Sequence, residues 1–179
     1  GQPGSTEPGQ RIYRVTADGA VNATAVTDLV PALSDKPNGI ILSLDQQQLM
    51  VGGLRGLWAF DLTAGVVSNP QQILDTPIDG LGKDCSGNIY ATTTVQLDTR
   101  VDGQVVVVID KNYNLVDQLK VEGIHIVTNI AFGGNDRKTL FVTGLTDPME
   151  GDKPRYCGEG ACLPAGIYTA QLNVPGFPF

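Results

Sequence analysis

The sequence predicts an all-β chain built from repeated four-stranded units, the arrangement of a β-propeller. Three observations lead there. Short runs of alternating or β-branched apolar residues recur along the chain, separated by turns of Gly, Asn and Asp. No segment holds a period of 3.6 over three turns, so no long amphipathic helix is expected. A motif of the form apolar-x-apolar-(Asp)-x-turn opens near Ile12 (IYRVTADG), Leu57 (LWAFDLTAG), Val106 (VVVIDKNYN) and Ile167 (IYTAQLNV). The spacings are 45, 49 and 61 residues, and a period of about 40–50 residues with four short strands per unit is that of propeller blades. A β-sandwich with accidental internal similarity is the competing reading.

The elements follow in order. Residues 1–10 (GQPGSTEPGQ) carry no periodicity and read as a flexible lead-in or nicked loop. Residues 11–179 read as the propeller domain. Ile12–Thr16 alternates. Gly39–Leu44 and Gln48–Gly52 flank a turn at Asp45-Gln46-Gln47, and Gly56–Leu62 holds the run LWAFDL. Gly80–Asp84 and Asn88–Thr92 flank Cys85-Ser86-Gly87. Gln104–Asp110 is a continuous β-branched run. Asn129–Phe132 and Thr139–Thr143 flank a turn at Gly133–Lys138, and Ile167–Leu172 closes the series. The last spacing is stretched by an insert, Leu145–Ala165.

Composition narrows the function classes. Twelve Lys and Arg against nineteen Asp and Glu give a net charge of −7 over 179 residues. That excludes a general nucleic-acid binder, which needs a basic footprint. Apolar runs such as Val105–Ile109 are far too short to span a bilayer. No basic segment followed by an apolar one opens the chain, so any signal peptide is expected to be gone already. Of the three cysteines, Cys157 and Cys162 enclose four residues, two of them Gly. A small disulfide loop is expected there, with two reduced thiols as the alternative. Cys85 is either a free thiol or the partner of a cysteine outside the chain. With the sequon Asn22-Ala23-Thr24, the cysteine pair points to a secreted or periplasmic protein.

The repeats also carry the candidate site. A polar residue introduces the first strand of each unit: Pro37-Asn38-Gly39-Ile40, Ile78-Asp79-Gly80-Leu81 and Thr128-Asn129-Ile130-Ala131. In a propeller such positions border the central channel, so Asn38, Asp79 and Asn129 are expected to converge there. Amide and carboxylate oxygens are hard donors, suited to Ca²⁺, Mg²⁺ or Mn²⁺. Taken one at a time, Asn-Gly and Asp-Gly are ordinary turn dipeptides; their shared phase is what raises them to a site. Arg55 sits in a connection from which it could reach a ligand, and Trp58 is expected to be packing. His125 alternates with apolar residues and is expected on the other face of its strand.

These segments also resemble a known family. Lys36-PNGIILSLDQQQLMV-Gly52, LWAFDL, Pro77-IDGLGKDCSGNIYAT-Thr93 and Thr128-NIAFGGNDRKTLFVT-Gly144, in that order, are similar to the C-terminal half of the SMP-30/gluconolactonase/LRE family. The resemblance implies a six-bladed propeller, of which this chain supplies about three to four blades. It implies a metal-dependent hydrolase of sugar lactones or related cyclic esters, with one divalent ion, Ca²⁺ first and Zn²⁺ or Mg²⁺ as alternatives. It implies Asn38 and Asp79 as metal ligands and Asp79 as the base that activates water. Asn129 and Arg55 become substrate-contacting or supporting residues.

In the family pattern a Glu ligand lies upstream of the segments matched here. The expectation is therefore a ring completed by the N-terminal half as a separate chain, or by a second copy, with the 179 residues inactive alone. The competing functions are a non-catalytic extracellular binding propeller and a strictosidine-synthase-like enzyme.

Overall fold

The computed structural model describes residues 11–34, 36–93, 105–146, 155–157, 160–162 and 165–178; the side chains of residues 125, 155–157 and 160–162 lie outside that description. The chain divides into two compact units at the Ile78–Asp79 bond.

The first unit opens with an antiparallel pair, β1 (Tyr13–Val15) and β2 (Val21–Ala23). A single helical turn, α1 (Val26–Leu29), and a 3-10 turn (Pro31–Ser34) follow. Pro31 lacks the N–H that a continuing helix needs, so α1 stops before it. At four residues it is too short to leave a periodic signature. Four strands then run up and down in the order β3 (Pro37–Leu42), β4 (Gln48–Gly53), β5 (Gly56–Thr63), β6 (Val66–Leu74). Leu49 and Phe60 are cross-strand partners. With Val51 and Val67 they form a core together with Val26, Val30 and Leu33 of the two helical turns. Strand β6 carries Pro70 and mostly exposed residues. It is an edge strand, the place where a sheet tolerates proline, and it shows no alternation in the sequence.

The second unit holds the next meander: β7 (Leu81–Lys83), β8 (Ile89–Thr93), β9 (Val105–Ile109) and β10 (Leu115–Lys120), hydrogen-bonded in that order. All five residues of β9 are buried. A strand covered on both faces reads as the unbroken run VVVVI rather than as an alternation. Next come β11 (Ile124–Gly133), β12 (Thr139–Thr146), a small hairpin of β13 (Arg155–Cys157) and β14 (Gly160–Cys162), and β15 (Ala165–Gln171). β15 pairs with β12, giving a sheet in the order β11-β12-β15. The core between the two sheets gathers Tyr90, Val106, Val108, Val127, Ile130, Leu140 and Val142. Tyr90 meets Phe132 edge to face at 5.0 Å.

The sequence motifs at Leu57, Val106 and Ile167 thus fall on β5, β9 and β15, the third strand of each sheet. The insert lies between the second and third strands of its sheet. No helix among the described residues is long and apolar enough to cross a membrane.

Candidate functional site

In each of the three larger sheets the first strand is irregular at or just before its start, and a candidate polar residue sits at the irregularity. On β3, Pro37 pairs with Gly53 and Ile40 with Val51. Three steps on one strand face two on the other, so the Asn38-Gly39 pair holds a β-bulge, with Asn38 exposed. Gly53 also accepts the Ile78 N–H at 3.0 Å. A Cβ at Gly52 would come within 2.6 Å of the Ile78 side chain.

Before β7, the N–H of Asp79 donates to the Thr92 carbonyl at 3.1 Å, and the Thr92 N–H donates to the Gly80 carbonyl at 3.0 Å. Two residues, Asp79 and Gly80, therefore oppose one. On β11, Val127 pairs with Gly144 and Asn129 with Thr143, leaving Thr128 as the extra residue. The Thr128 hydroxyl bonds to the Thr143 hydroxyl at 3.0 Å. A bulge re-aims the side chain beside it, and such bulges concentrate next to functional sites.

Within the second unit these positions meet. A Cβ at Gly80 would lie 2.7 Å from Cα of Asn129, so only glycine lets the Asp79–Gly80 backbone lie against Asn129. Asp79 is half-buried and Asn129 exposed. Oδ1 of Asn129 already accepts the Ile130 N–H at 2.8 Å. Its amide nitrogen carries two further donors. Asn38 and Arg55 belong to the first unit. Arg55 is exposed in the two-residue turn between β4 and β5, and its carbonyl accepts the Gln72 amide at 3.4 Å. Trp58 is half-buried beside the first core.

The remaining candidates are placed as follows. His125 lies on β11, with its side chain outside the description. Cys85 is a free thiol and exposed, its Sγ 3.4 Å from the Gly176 carbonyl. Cys157 and Cys162 lie on β13 and β14, where Cys157 is opposite Gly160 and Cys162 opposite Arg155; their side chains, and the disulfide expected of them, fall outside the described residues.

Asn38 and Asp79 offer an amide and a carboxylate oxygen, as Ca²⁺ and Mg²⁺ prefer. No group of three or more His, Cys, Asp or Glu side chains that could hold a metal ion, zinc or calcium alike, gathers among the described residues. Two groups away from these strand starts have shifted pKa values. Lys83, at the far end of β7 from Asp79, has its ammonium pKa lowered by burial. Tyr90 is raised by burial and by the Asp84 carboxylate.

What the sequence did not disclose is Thr92. It is buried and reads in the sequence as an ordinary strand residue, yet its hydroxyl accepts the Gly80 N–H at 2.6 Å.

Repeated β-meanders, each with a polar residue at a bulge on or just before its first strand, define the fold as a β-propeller. The sequence pattern of the SMP-30/Gluconolactonase/LRE-like region matches residues 1–146, and the chain belongs to that family. Among curated relatives, "Putative sugar lactone lactonase YvrE" of Bacillus subtilis is 31% identical over 67% of this chain and 39% of its own length. Pentonolactonase XacC of Haloferax volcanii is 25% identical over 97% of this chain and 59% of its own length. The crystal structure of the calcium-binding protein regucalcin from Agrobacterium tumefaciens shares the fold, with a TM-score of 0.59 at 24% identity, over 79% of this chain and 46% of that one. The chain thus spans about 40–60% of the length of these curated relatives.

Proposed function

We propose that this chain supplies part of the active site of a sugar-lactone hydrolase. The observation that carries the reading is the recurrence of Asn38, Asp79 and Asn129 at bulges on the first strands of successive sheets, within a sequence that matches the lactonase family. Relatives named as lactonases support the substrate class.

Asn38 and Asp79 are assigned as ligands of one divalent cation, Ca²⁺ by their oxygen chemistry. These ligand roles rest on the match of the two segments to the family pattern, as does a further carboxylate ligand from outside them. A bound cation supplies Lewis-acid polarisation of the lactone carbonyl. The Asp79 carboxylate takes a proton from water, and that oxygen bonds to the carbonyl carbon. The ring C–O bond then breaks, and the proton passes to the ring oxygen, giving the open hydroxy acid. The Asn129 amide nitrogen donates to a substrate hydroxyl and fixes its orientation. Arg55 stands as a second candidate for substrate contact.

The test is a pH-stat assay of gluconolactone opening by the protein that carries this chain. Asp79→Asn keeps the shape and removes the base and the anionic ligand. A loss of about a hundredfold or more is expected; activity within about threefold of the parent would overturn the assignment.

A further inference from the structure

We propose that Thr92 is the positioning residue of this site, its buried hydroxyl fastening the Asp79–Gly80 bulge to the Thr128–Asn129 bulge. The inference rests on the reading of Asp79 given above and deepens it.

A bulge leaves one backbone group without its ladder partner. Here that group is the Gly80 N–H, because the Thr92 carbonyl is taken by Asp79 at 3.1 Å. The Thr92 hydroxyl fills the gap at 2.6 Å. The same hydroxyl lies 3.3 Å from the Thr128 carbonyl and 3.4 Å from the Gly80 carbonyl. The Gly80 carbonyl already receives the Thr92 N–H, so the hydroxyl proton goes to Thr128, the extra residue of the other bulge. One oxygen therefore accepts from the residue after Asp79 and donates to the residue before Asn129.

Thr92 itself is fully buried, with a relative exposure of 0%. No water can replace its hydroxyl, and without it a buried N–H stays unpaired at a cost of about 1–3 kcal/mol, unless the bulge rearranges. The threonine chain continues outward: Thr128 bonds to Thr143, and the Thr143 hydroxyl donates to the Asn129 carbonyl at 3.3 Å. Asn129 is thereby held on both sides. An ordinary ladder partner serves through its backbone and tolerates any side chain. This one serves through its side chain, so the spacing of Asp79 and Asn129 depends on which residue stands at 92.

The experiment compares the protein that carries this chain with its Thr92→Val variant, which keeps the shape without the hydroxyl, and its Thr92→Ser variant, which keeps the hydroxyl. Two quantities are read: amide exchange at Gly80 by NMR, and Ca²⁺ affinity by calorimetric titration with the metal alone. Exchange at Ile89 and Val107 reports whether the sheet is intact. Thr92→Ala, read the same way, takes the place of Thr92→Val if the latter does not fold. We expect Gly80 to exchange about tenfold or more faster, and the Ca²⁺ Kd to rise about tenfold, in Thr92→Val; the serine variant stays within about threefold on both.

Parent-like Ca²⁺ binding in Thr92→Val overturns the positioning role, even with altered exchange. Loss in the serine variant as well as the valine one overturns it too, since the hydroxyl is then not the cause. Should the parent itself bind no Ca²⁺, the reading of Asp79 fails instead. Gly80 exchange then judges the clamp alone, and parent-like exchange in Thr92→Val overturns it.

Discussion

Two turns of the second unit share one sequence pattern and one set of hydrogen bonds, and differ in what covers them. Asp84-Cys-Ser-Gly-Asn88 joins β7 to β8, and Asp110-Lys-Asn-Tyr-Asn114 joins β9 to β10. In both, an Asp carboxylate accepts the N–H two residues on at 2.8 Å and the N–H four residues on at 2.9 Å. In both, the Asn side-chain amide closes back on the same carboxylate. In both, the fourth residue is left-handed, Gly87 at φ 88° and Tyr113 at φ 66°.

The surroundings separate them. Asp84 is completely buried, because residues near the C-terminus cross over its turn. Cys85 N–H donates to the Pro175 carbonyl at 2.9 Å, and Phe177 N–H to the Lys83 carbonyl at 3.0 Å. The Lys83 ammonium sits 4.5 Å from the centre of the Phe177 ring. Asp84 also gains a fourth donor, the Tyr90 hydroxyl at 3.3 Å. The local sequence writes the turn, and the remote sequence decides its energetic weight.

Substitutions at the two turns test the contrast. Asp84→Ala strands several buried donors at once and is expected to cost about 3 kcal/mol or more in urea unfolding. An effect no larger than that of Asp110→Ala would break the comparison. Tyr90→Phe removes one donor of four and is expected to cost about 1 kcal/mol. It has a pH signature as well. Burial and Asp84 raise the Tyr90 pKa, so its contribution is complete below the ordinary tyrosine value of 10.0 and fades as pH rises through the folded value. The phenylalanine variant should lose less stability on alkaline titration than the parent.

Tyr113→Gly relieves a left-handed tyrosine and is expected to stabilise by about 0.5–1 kcal/mol, the strain relief being partly offset by glycine's entropy. Gly87→Ala should move the opposite way. The smallest effect belongs to Asp110, whose pKa is lowered mainly by the backbone N–H and side chain of Asn114. Its contribution is present above the ordinary value of 3.8 and is lost as pH falls through the lower folded value. An Asp110→Ala variant should therefore differ from the parent slightly at neutral pH and converge with it in acid.

The same division governs what was legible in the sequence. The strands LWAFDL and VVVID announced themselves, because burial of both faces leaves a dense apolar run. The edge strands β6 and β10 did not, since their exposed, polar residues pack against little. The candidate residues Asn38, Asp79 and Asn129 were legible as a phase shared by three repeats. The bulges beneath them were not, because a bulge is a mismatch between two strands and no single strand carries its signature. The glycines after Asn38 and Asp79 were its one local trace. Thr92 was illegible for the opposite reason: it reads as an ordinary β-branched core residue, and only its partner shows that its hydroxyl is used.

The proposed site residues Asn38, Asp79 and Asn129 each stand at a strand-start bulge. The direct measurement is a Ca²⁺ titration of the protein that carries this chain, isotope-labelled and followed by NMR. If they serve one ligand, Asn38, Asp79–Gly80 and the Asn129 side-chain amide shift together on a single binding curve, while the Asp84 and Asp110 turns stay still. Shifts confined to the Asp110 turn, or separate curves for Asn38 and Asp79, would contradict a single site.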